Sequence, residues 1–350
     1  MKRLAMVVCL SAVVGAQSDV PGPVRAERLV KQLELADKCP DAMYALWQLG
    51  ADAVPALSRA VRDPRIEVVE AACAVICEMK DVATSVRTHL ERESKQAKGR
   101  RKEVLVWALR AVNSQTIAVA GWSGEVVLLD RSGKVQAHHK GFGNLWGVQL
   151  LPDGNCLVAH NGDAGVSVID AGGKVVKEVD SDGKHIDLGA GLRAQRLLNG
   201  HTLIAGNGAK VRELDRDGKP FWTHDVVATA AIRLLNGHTL MLNNSDKELV
   251  EVDREGKVVF SCEIPVMAYG LKRLPNGNTL VTTRSNHRLI EIDAKGNTVK
   301  STKVASDPND VLRYADGTMV IAGKEGVTAY DAGGKTLWTY ELEWAGSLAR

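Results

Sequence analysis

Apolar and polar positions recur in one fixed pattern along the C-terminal two thirds of the chain. In each copy a short apolar run ends at an Asp, and a Gly follows three positions later, usually with a Lys directly after it. The six copies begin at Asp130, Asp170, Asp215, Asp253, Asp293 and Asp331. Their spacings are 40, 45, 38, 40 and 38 residues. A period near 40 residues that contains several strand-like segments is typical of a β-propeller.

A second motif, an Asn-Gly or Asp-Gly pair, runs in step with the first. It occurs at residues 153–154, 199–200, 236–237, 276–277 and 316–317, with a worn copy near residue 113. Such pairs tolerate the positive φ of tight hairpin turns, so each one marks a turn between two antiparallel strands. Each unit then has four strands, and the sequence predicts an all-β, six-bladed propeller over residues 103–343.

The repeated Asp residues have a structural explanation. An Asp side chain in such a turn accepts hydrogen bonds from backbone N–H groups of its own turn, and the following Gly adopts a left-handed conformation. One Asp per blade leaves the six carboxylates too far apart to share a cation. We therefore predict no metal site.

Residues 23–98 have the spacing of amphipathic helices. Apolar side chains recur at steps of three and four, for example Val68, Ala71, Ala72, Val75 and Ile76. The segment at residues 45–57 is echoed at residues 74–86 and resembles short HEAT-like repeats. Two such repeats bury little surface alone, so we expect this small all-α, HEAT-like domain to dock on the propeller.

The ends of the chain and the linker complete the predicted organisation. Lys2 and Arg3 precede an apolar stretch at residues 4–14, and Val14 and Ala16 supply the small residues of a signal-peptide cleavage site. We expect residues 1–16 to be removed and the mature protein to be exported, periplasmic or secreted, with no transmembrane segment. Residues 99–102 are predicted to be a basic linker, and residues 344–350 a C-terminal tail that could add a strand elsewhere.

Charge and cysteine content narrow the possible partners. The formal net charge is only +3 and aromatic residues make up 4% of the chain, so the basic run near residue 100 does not indicate nucleic-acid binding. Five cysteines remain after signal removal, an odd number that specifies no disulfide framework. A pairing of Cys39 with Cys73 or with Cys77 stays open.

Candidate functional residues were sought among the loops that gather at one mouth of the central channel. Five of them are not required by turn chemistry, and three Asn residues also fit the loops as ordinary turn formers. The ligand-binding candidates are His160, Arg284, His287, Trp146, Tyr269, Asn161, Asn207 and Asn244. In contrast, His201 and His238 follow Asn-Gly at one repeated position and are predicted to be turn residues on the opposite face.

The repeat unit resembles two groups of exported bacterial propellers. Asp215 to Trp222 and Asp331 to Trp338 match the Asp-x-x-Gly-Lys-x-x-Trp pattern of pyrroloquinoline-quinone-like repeats. The phrase at residues 273–280 is similar to repeats of arylsulfotransferase-like propellers. The resemblance implies the propeller fold, but no motif matches a catalytic set residue by residue. We carry over no catalytic residue and expect no cofactor.

Two functions remain as hypotheses. The first is an exported, non-catalytic scaffold that binds a protein or small-molecule partner at the channel mouth. The alternative is an enzyme at the same mouth, either a sulfuryl transferase or a hydrolase or lyase of small molecules. His160 or His287 would then be the nucleophile or general acid/base, and Arg284 would stabilise an anion. An enzyme requires these side chains to converge, whereas a scaffold does not.

Overall fold

The fold was obtained as a computed structural model that describes residues 20–160, 165–179, 190–207, 209–304 and 307–350. Six four-stranded antiparallel sheets form a β-propeller, and helices precede it. The predicted fold class is confirmed. The predicted signal peptide, residues 1–16, lies outside the described residues.

The helical segment is a small bundle with its own core. Its helices are α1 (Gly22–Val30), α2 (Cys39–Leu49), α3 (Val54–Ala60), α4 (Ile66–Met79), α5 (Arg87–Gln96) and α6 (Gly99–Asn113), with 3₁₀ turns at Gly50–Ala53 and Lys80–Val86. Fully buried aliphatic side chains, among them Leu46, Leu57, Ile76, Leu90 and Leu105, fill the space between the helices.

Within each blade the strands are ordered along the chain from the central channel to the outer edge of the propeller. Blade one contains β1 (Ile117–Gly121), β2 (Glu125–Leu129) and β3 (Val135–Lys140), and blade two contains β4 (Leu145–Leu150), β5 (Cys156–His160), β6 (Val166–Ile169) and β7 (Val175–Glu178). Blade three contains β8 (Ala190–Arg196), β9 (Thr202–Asn207), β10 (Ala209–Leu214) and β11 (Pro220–Val227), and blade four contains β12 (Ala230–Arg233), β13 (Thr239–Asn243), β14 (Glu248–Val252) and β15 (Val258–Glu263). Blade five contains β16 (Ala268–Arg273), β17 (Thr279–Thr283), β18 (Arg288–Ile292) and β19 (Thr298–Lys303), and blade six contains β20 (Pro308–Arg313), β21 (Met319–Gly323), β22 (Gly326–Tyr330) and β23 (Thr336–Glu341), before the final strand β24 (Ala345–Ala349).

The ring is closed by the last strand of the chain. Strand β24 pairs antiparallel with β1, with Leu348 opposite Val119, and becomes the innermost strand of blade one. Residues 344–350, predicted to be a tail, therefore complete the propeller. At the other boundary, residues 103–113, predicted to open the propeller, and the predicted linker at 99–102 belong to helix α6. The burial of Val104 and Leu105 in the helical core holds that segment as a helix.

The repeated turns are built as predicted. Asp293 Oδ1 accepts hydrogen bonds from the backbone N–H groups of Lys295 at 2.9 Å and Asn297 at 2.8 Å. Gly296 has a φ of 88°, a value that favours glycine. Hydrogen bonds from the backbone and side chain of Asn297 hold the pKa of Asp293 below its ordinary value. The structural explanation of these Asp residues is confirmed.

The helical segment docks on one end of the propeller, which we call the underside: the end that carries the turns between first and second strands. Arg254 lies 3.1 Å from Asp41 in an ion pair, and Leu235 packs against the helical core. Arg350, directly after β24, lies 2.6 Å from Asp81. The predicted docking is confirmed, and a cavity of about 2250 Å³ remains between the two parts.

Two further expectations concern cysteines and membrane spans. Cys39, Cys73 and Cys77 are free thiols in the structure, as are Cys156 and Cys262. The possible pairing of Cys39 with Cys73 or Cys77 is therefore not formed. Among the described residues, no helix combines the length and the apolar character needed to cross a bilayer.

Candidate functional site

An arginine enclosed by aromatic rings occupies the channel mouth, at the end of the propeller opposite the underside. The guanidinium carbon of Arg284 lies 3.8 Å from the ring centroid of Tyr269, 4.9 Å from that of Trp146 and 5.2 Å from that of Trp344. We call these three rings the aromatic cage. Trp122 packs edge-on against Trp146 at 5.4 Å and extends the same wall. Such distances are within the range of cation–π attraction.

Bulges in the inner strands position two rings of the cage. In blade two the pairing register skips from Leu145 to Gly147, which leaves Trp146 as the extra residue. In blade five it skips in the same way around Tyr269. A bulge redirects a side chain locally, and bulges occur at sheet edges next to functional sites. The two rings reach the mouth from blades that lie far apart in sequence.

The third ring has a less common backbone. Trp344 has a φ of 52°, a conformation that non-glycine residues adopt infrequently. Its carbonyl accepts the N–H of Trp122 at 3.0 Å, and its own N–H donates to the carbonyl of Lys324 at 2.9 Å. These bonds tie the turn before β24 to blades one and six, and the Trp344 ring lies over Arg284 as a result.

The guanidinium of Arg284 is incompletely satisfied. Its Nε donates to Asn309 Oδ1 at 2.6 Å, whereas its Nη2 is buried with no hydrogen-bond partner among the described residues. Burial lowers the pKa of Arg284 below its ordinary value, although the charges of Tyr269 and Asp307 act in the opposite direction. The Asp307 carboxylate lies 3.1 Å from His287 Nδ1, and no carboxylate of the described residues forms an ion pair with Arg284.

A second arginine closes the channel beneath the cage. Arg193 of blade three reaches across the axis to blade six, where its Nη1 lies 2.8 Å from Asp310 Oδ2. Its Nη2 donates to the carbonyls of Asn309 at 2.8 Å and Gly346 at 3.2 Å, and its Nε is buried without a partner among the described residues. Asn309 therefore contacts both arginines, through its side chain and its carbonyl.

The predicted site residues divide into two groups. Arg284, Trp146 and Tyr269 come together at the mouth. His160 instead lies inside blade two and is 6% exposed. Its Nδ1 lies 2.7 Å from the Phe142 carbonyl and its Nε2 3.1 Å from Ser167 Oγ.

Two other candidates have hydrogen-bond or ion-pair partners outside the cage. His287 is half exposed and pairs with Asp307. Asn244 is buried, and its amide bonds to both the N–H and the carbonyl of Ala268, which joins blades four and five. Asn161 and the side chain of Asn207 lie outside the described residues.

Sequence reasoning missed Trp344 and Arg193. Trp344 was assigned to the tail, although it stands one residue before an Ala-Gly pair that takes the place of the inner-strand start in other blades. Arg193 occupies the channel-lining position that Gly270 fills in blade five, since each pairs with the equivalent residue of the second strand. A charged residue at a position facing the axis was the available signal. Within the described ranges, no group of three His, Cys, Asp or Glu side chains is arranged to hold a metal ion.

Comparison with known proteins supports the fold. The PQQ_2 family, described as outer membrane protein assembly factor BamB, matches residues 146–309. A protein of unknown function from Bacteroides caccae is 15% identical, covers 67% of this chain and 98% of its own, and gives a TM-score of 0.54. The WD40 propeller domain of Doa1 is 15% identical over 62% of this chain and 88% of its own, with a TM-score of 0.46.

More distant structures include an enzyme. Virginiamycin B lyase from Staphylococcus aureus is 14% identical over 55% of this chain and 68% of its own, with a TM-score of 0.42. No curated protein matches the chain. The chain is a six-bladed β-propeller with a helical segment at its N-terminus, and its residues 146–309 are similar to the PQQ_2, BamB-like repeats.

Proposed function

We propose that this chain is an exported, non-catalytic binding protein whose channel mouth holds an anionic group of its partner. The observation that carries the proposal is Arg284, a partly buried guanidinium whose Nη2 has no hydrogen-bond partner among the described residues and whose Nε donates to the neutral amide of Asn309. A buried donor without a partner costs about 1–3 kcal/mol, so a ligand that accepts its hydrogen bond is favoured.

The balance of charge at the mouth favours an anion. Arg193 and Arg284 share Asn309, but only one carboxylate, Asp310, forms an ion pair with either of them in the described structure. Guanidinium groups match planar carboxylate and sulfate-like groups through paired N–H donors. The rings of Trp146 and Tyr269 add apolar walls, so an anion attached to an aromatic or aliphatic group suits the cage.

The positions of the two histidines favour binding over catalysis. Both ring nitrogens of His160 are engaged, by the carbonyl of Phe142 and by Ser167 Oγ. His287 is engaged by Asp307. A general base must reach the proton that it removes, and neither imidazole lies in the cage.

The family match favours a protein partner in the cell envelope, because its description is that of an outer membrane assembly factor. This match and the charged-then-apolar start of the chain are the support for export. We also propose that the helical segment is HEAT-like and offers a second interaction surface, since repeat architectures serve mainly as binding surfaces.

The binding proposal is tested with small probes. Isothermal titration of the purified protein with benzoate, phenyl sulfate and neutral benzamide should show binding of the two anions and not of benzamide. R284Q should lose that binding. R288Q, which removes an exposed arginine that bonds to Ser301 at 3.0 Å, should keep it.

Two results would count against the proposal: anion binding that survives R284Q, or equal binding of benzamide. Because Arg284 packs against three rings, R284Q should also lower stability, by about 0.5–1 kcal/mol for each partly exposed ring contact. Titrations are therefore run well below the unfolding midpoint of each variant. Turnover of 4-nitrophenyl sulfate with a phenol acceptor above the level of R284Q would instead favour the enzyme alternative.

Export is tested separately by N-terminal sequencing of protein recovered from the producing cell. The mature chain should begin at Gln17 or within a few residues of it. A retained Met1 would contradict export and would leave the binding proposal unaffected.

A further inference from the structure

An arginine recurs at the underside end of the inner strands. Arg233, Arg273 and Arg313 each form an ion pair with a glutamate from the third strand of the preceding blade. These glutamates are Glu213, Glu251 and Glu291, and each pairs in register with the second residue of its neighbouring strand. The network joins blades three to six.

Between blades one and two, both the arginine and the glutamate of this ion pair are absent. Its inner strand ends at Leu150 instead of an arginine. The glutamate position of blade one is likewise apolar, because Leu128 pairs with Ala118 at the equivalent place. Both leucines pack against the same apolar cluster. Where the inner strand has no arginine, the preceding blade has no glutamate at the facing position.

Arg350, at the end of the inner strand of blade one, faces a blade that has no glutamate at the repeated position. Ala329 stands at the glutamate position of blade six, where it pairs with Val320. The helical segment supplies the missing carboxylate, because Asp81 lies 2.6 Å from Arg350 Nη2. A group from outside the propeller thus completes the pair.

Arg196, at the end of the inner strand of blade three, also faces a blade without that glutamate. Val168 stands at that position in blade two, opposite Leu157. Arg196 Nη1 donates to the carbonyl of Gly200 at 2.7 Å, and no carboxylate of the described residues forms an ion pair with it. The charge of Asp153 acts on Arg196, but both carboxylate oxygens of Asp153 bond to Asn155.

Two exposed apolar side chains belong to or contact the turn that accepts the hydrogen bond of Arg196. Leu198 is 61% exposed, whereas its equivalent in blade four, Leu235, packs against the helical core. Phe221 is 67% exposed and stacks edge-on against His201. The helical segment therefore covers the leucine of blade four and leaves that of blade three open.

Two more cations are tied to the same place. Arg216 Nε donates to the carbonyl of Asn199 at 2.8 Å, and Lys177 Nζ donates to the carbonyl of Arg216 at 3.0 Å. Asp217 is the carboxylate that follows in the same turn. We call the surface formed by five side chains the blade-three rim: Lys177, Arg196, Leu198, Arg216 and Phe221. All five line the cavity between the helical segment and the propeller.

We propose that the blade-three rim binds a polypeptide segment of a partner protein that presents a carboxylate beside large apolar side chains. The protein already contains the pattern, because the helical segment brings Asp81 to Arg350 and an apolar cover to Leu235. Charge complementarity selects an acidic segment, and the exposed Leu198 and Phe221 supply apolar area. This site goes beyond the proposed function, since it lies at the end of the propeller opposite Arg284.

The test restores the symmetry of the repeat. V168E places a glutamate where Glu213, Glu251 and Glu291 stand in other blades, so it should neutralise Arg196. The probe is a set of fluorescein-labelled hexapeptides in which Asp or Glu alternates with Leu, Phe or Val, measured by fluorescence anisotropy. The matched set carries Asn or Gln in place of the acids. Wild-type protein should bind the acidic set at least tenfold more tightly, and V168E should lose that preference.

Further variants keep the test independent of the folding of V168E. R196Q and L198S change exposed or half-exposed side chains, and each should weaken binding at least tenfold. L337S removes a leucine that is 52% exposed on the outer strand of blade six and should not weaken it. The rim variants are also made on R284Q, so that the mouth contributes nothing to the preference; R284Q by itself should keep the at least tenfold preference for the acidic set, which separates this site from the mouth. Equal binding of the two peptide sets, no binding to the wild type, unchanged binding by R196Q, or loss of binding in R284Q would each overturn the proposal.

Discussion

Removal of Arg193 tests whether the ion pair across the channel holds blades three and six together. In R193M, Asp310 loses its partner at 2.8 Å, and the carbonyls of Asn309 and Gly346 lose their donor. The side chains of Arg193 and Asp310 are 13% and 11% exposed, so water replaces little of what is lost. Breaking such a buried pair on one side costs about 3–5 kcal/mol.

The Coulomb attraction alone sets an upper scale. At 2.8 Å with an effective dielectric constant of about 20 it amounts to about 6 kcal/mol, before the desolvation of both ions is subtracted. D310N should cost a similar amount to R193M because it leaves Arg193 buried without a counter-charge. The double variant R193M/D310N leaves no isolated charge. Its amide oxygen can accept the backbone N–H of Val311 or that of Leu348 but not both, so we expect the double variant to lose about one buried hydrogen bond, which costs about 1–3 kcal/mol.

The assay is a double-mutant cycle from urea unfolding at pH 7, followed by tryptophan fluorescence. K210M serves as the control, because Lys210 and Asp225 form a pair at 2.7 Å whose side chains are 52% and 90% exposed. An exposed pair contributes about 0–1 kcal/mol. Single variants at Arg193 and Asp310 that cost no more than K210M, or a double variant that costs the sum of both, would refute the role assigned to the pair.

Three further predictions use pH and chemical reactivity. Burial acts to raise the pKa of Glu291, but a hydrogen bond from Asn278 and the charge of Arg313 outweigh it and leave the pKa below the ordinary 4.5. The ionised carboxylate therefore stabilises the folded state, and this contribution is lost as the pH falls below 4.5. E291Q should flatten the acid dependence of the unfolding midpoint, whereas an unchanged slope would contradict the prediction. Burial lowers the pKa of His160 below 6.5, so the folded state favours the neutral ring and its stability should fall as the pH drops through 6.5. H160Q should remove this pH dependence. A wild-type unfolding midpoint that does not change between pH 7.5 and 5.5 would argue against a buried neutral ring. Burial raises the pKa of the Cys156 thiol to about 12, so iodoacetamide at pH 8 should alkylate it far more slowly in native protein than in urea, and equal rates would show that the thiol is accessible.

Much of the architecture is encoded locally and was predictable from the sequence. The turn around Asp293 and Gly296 forms from contacts within five residues, so its spacing alone locates the boundary between two strands. Six such turns give the blade count. Docking of the helical segment was also predictable, because two short repeats cannot bury their apolar side chains without another surface.

Closure and the functional surfaces depended on the tertiary structure. The pairing of β24 with β1 joins residues more than two hundred positions apart, and the Ala-Gly pair at the start of β24 suits an inner strand but does not specify its partner. Trp146 and Tyr269 were predicted as candidates, but only the bulges and the closing strand bring them and Trp344 around Arg284. His160 was also a candidate because turn chemistry does not require it, but its side chain lies inside blade two.

The unpaired state of Arg196 shows the same division. The sequence contains both Arg196 and Val168, and their types are plain from the chain alone. Only the strand register and the order of blades around the ring show that Val168 stands at the position that faces Arg196. Local turn chemistry thus determines how the chain is divided into strands, whereas the closed ring decides which distant side chains meet, because those contacts exist only after all six blades are packed.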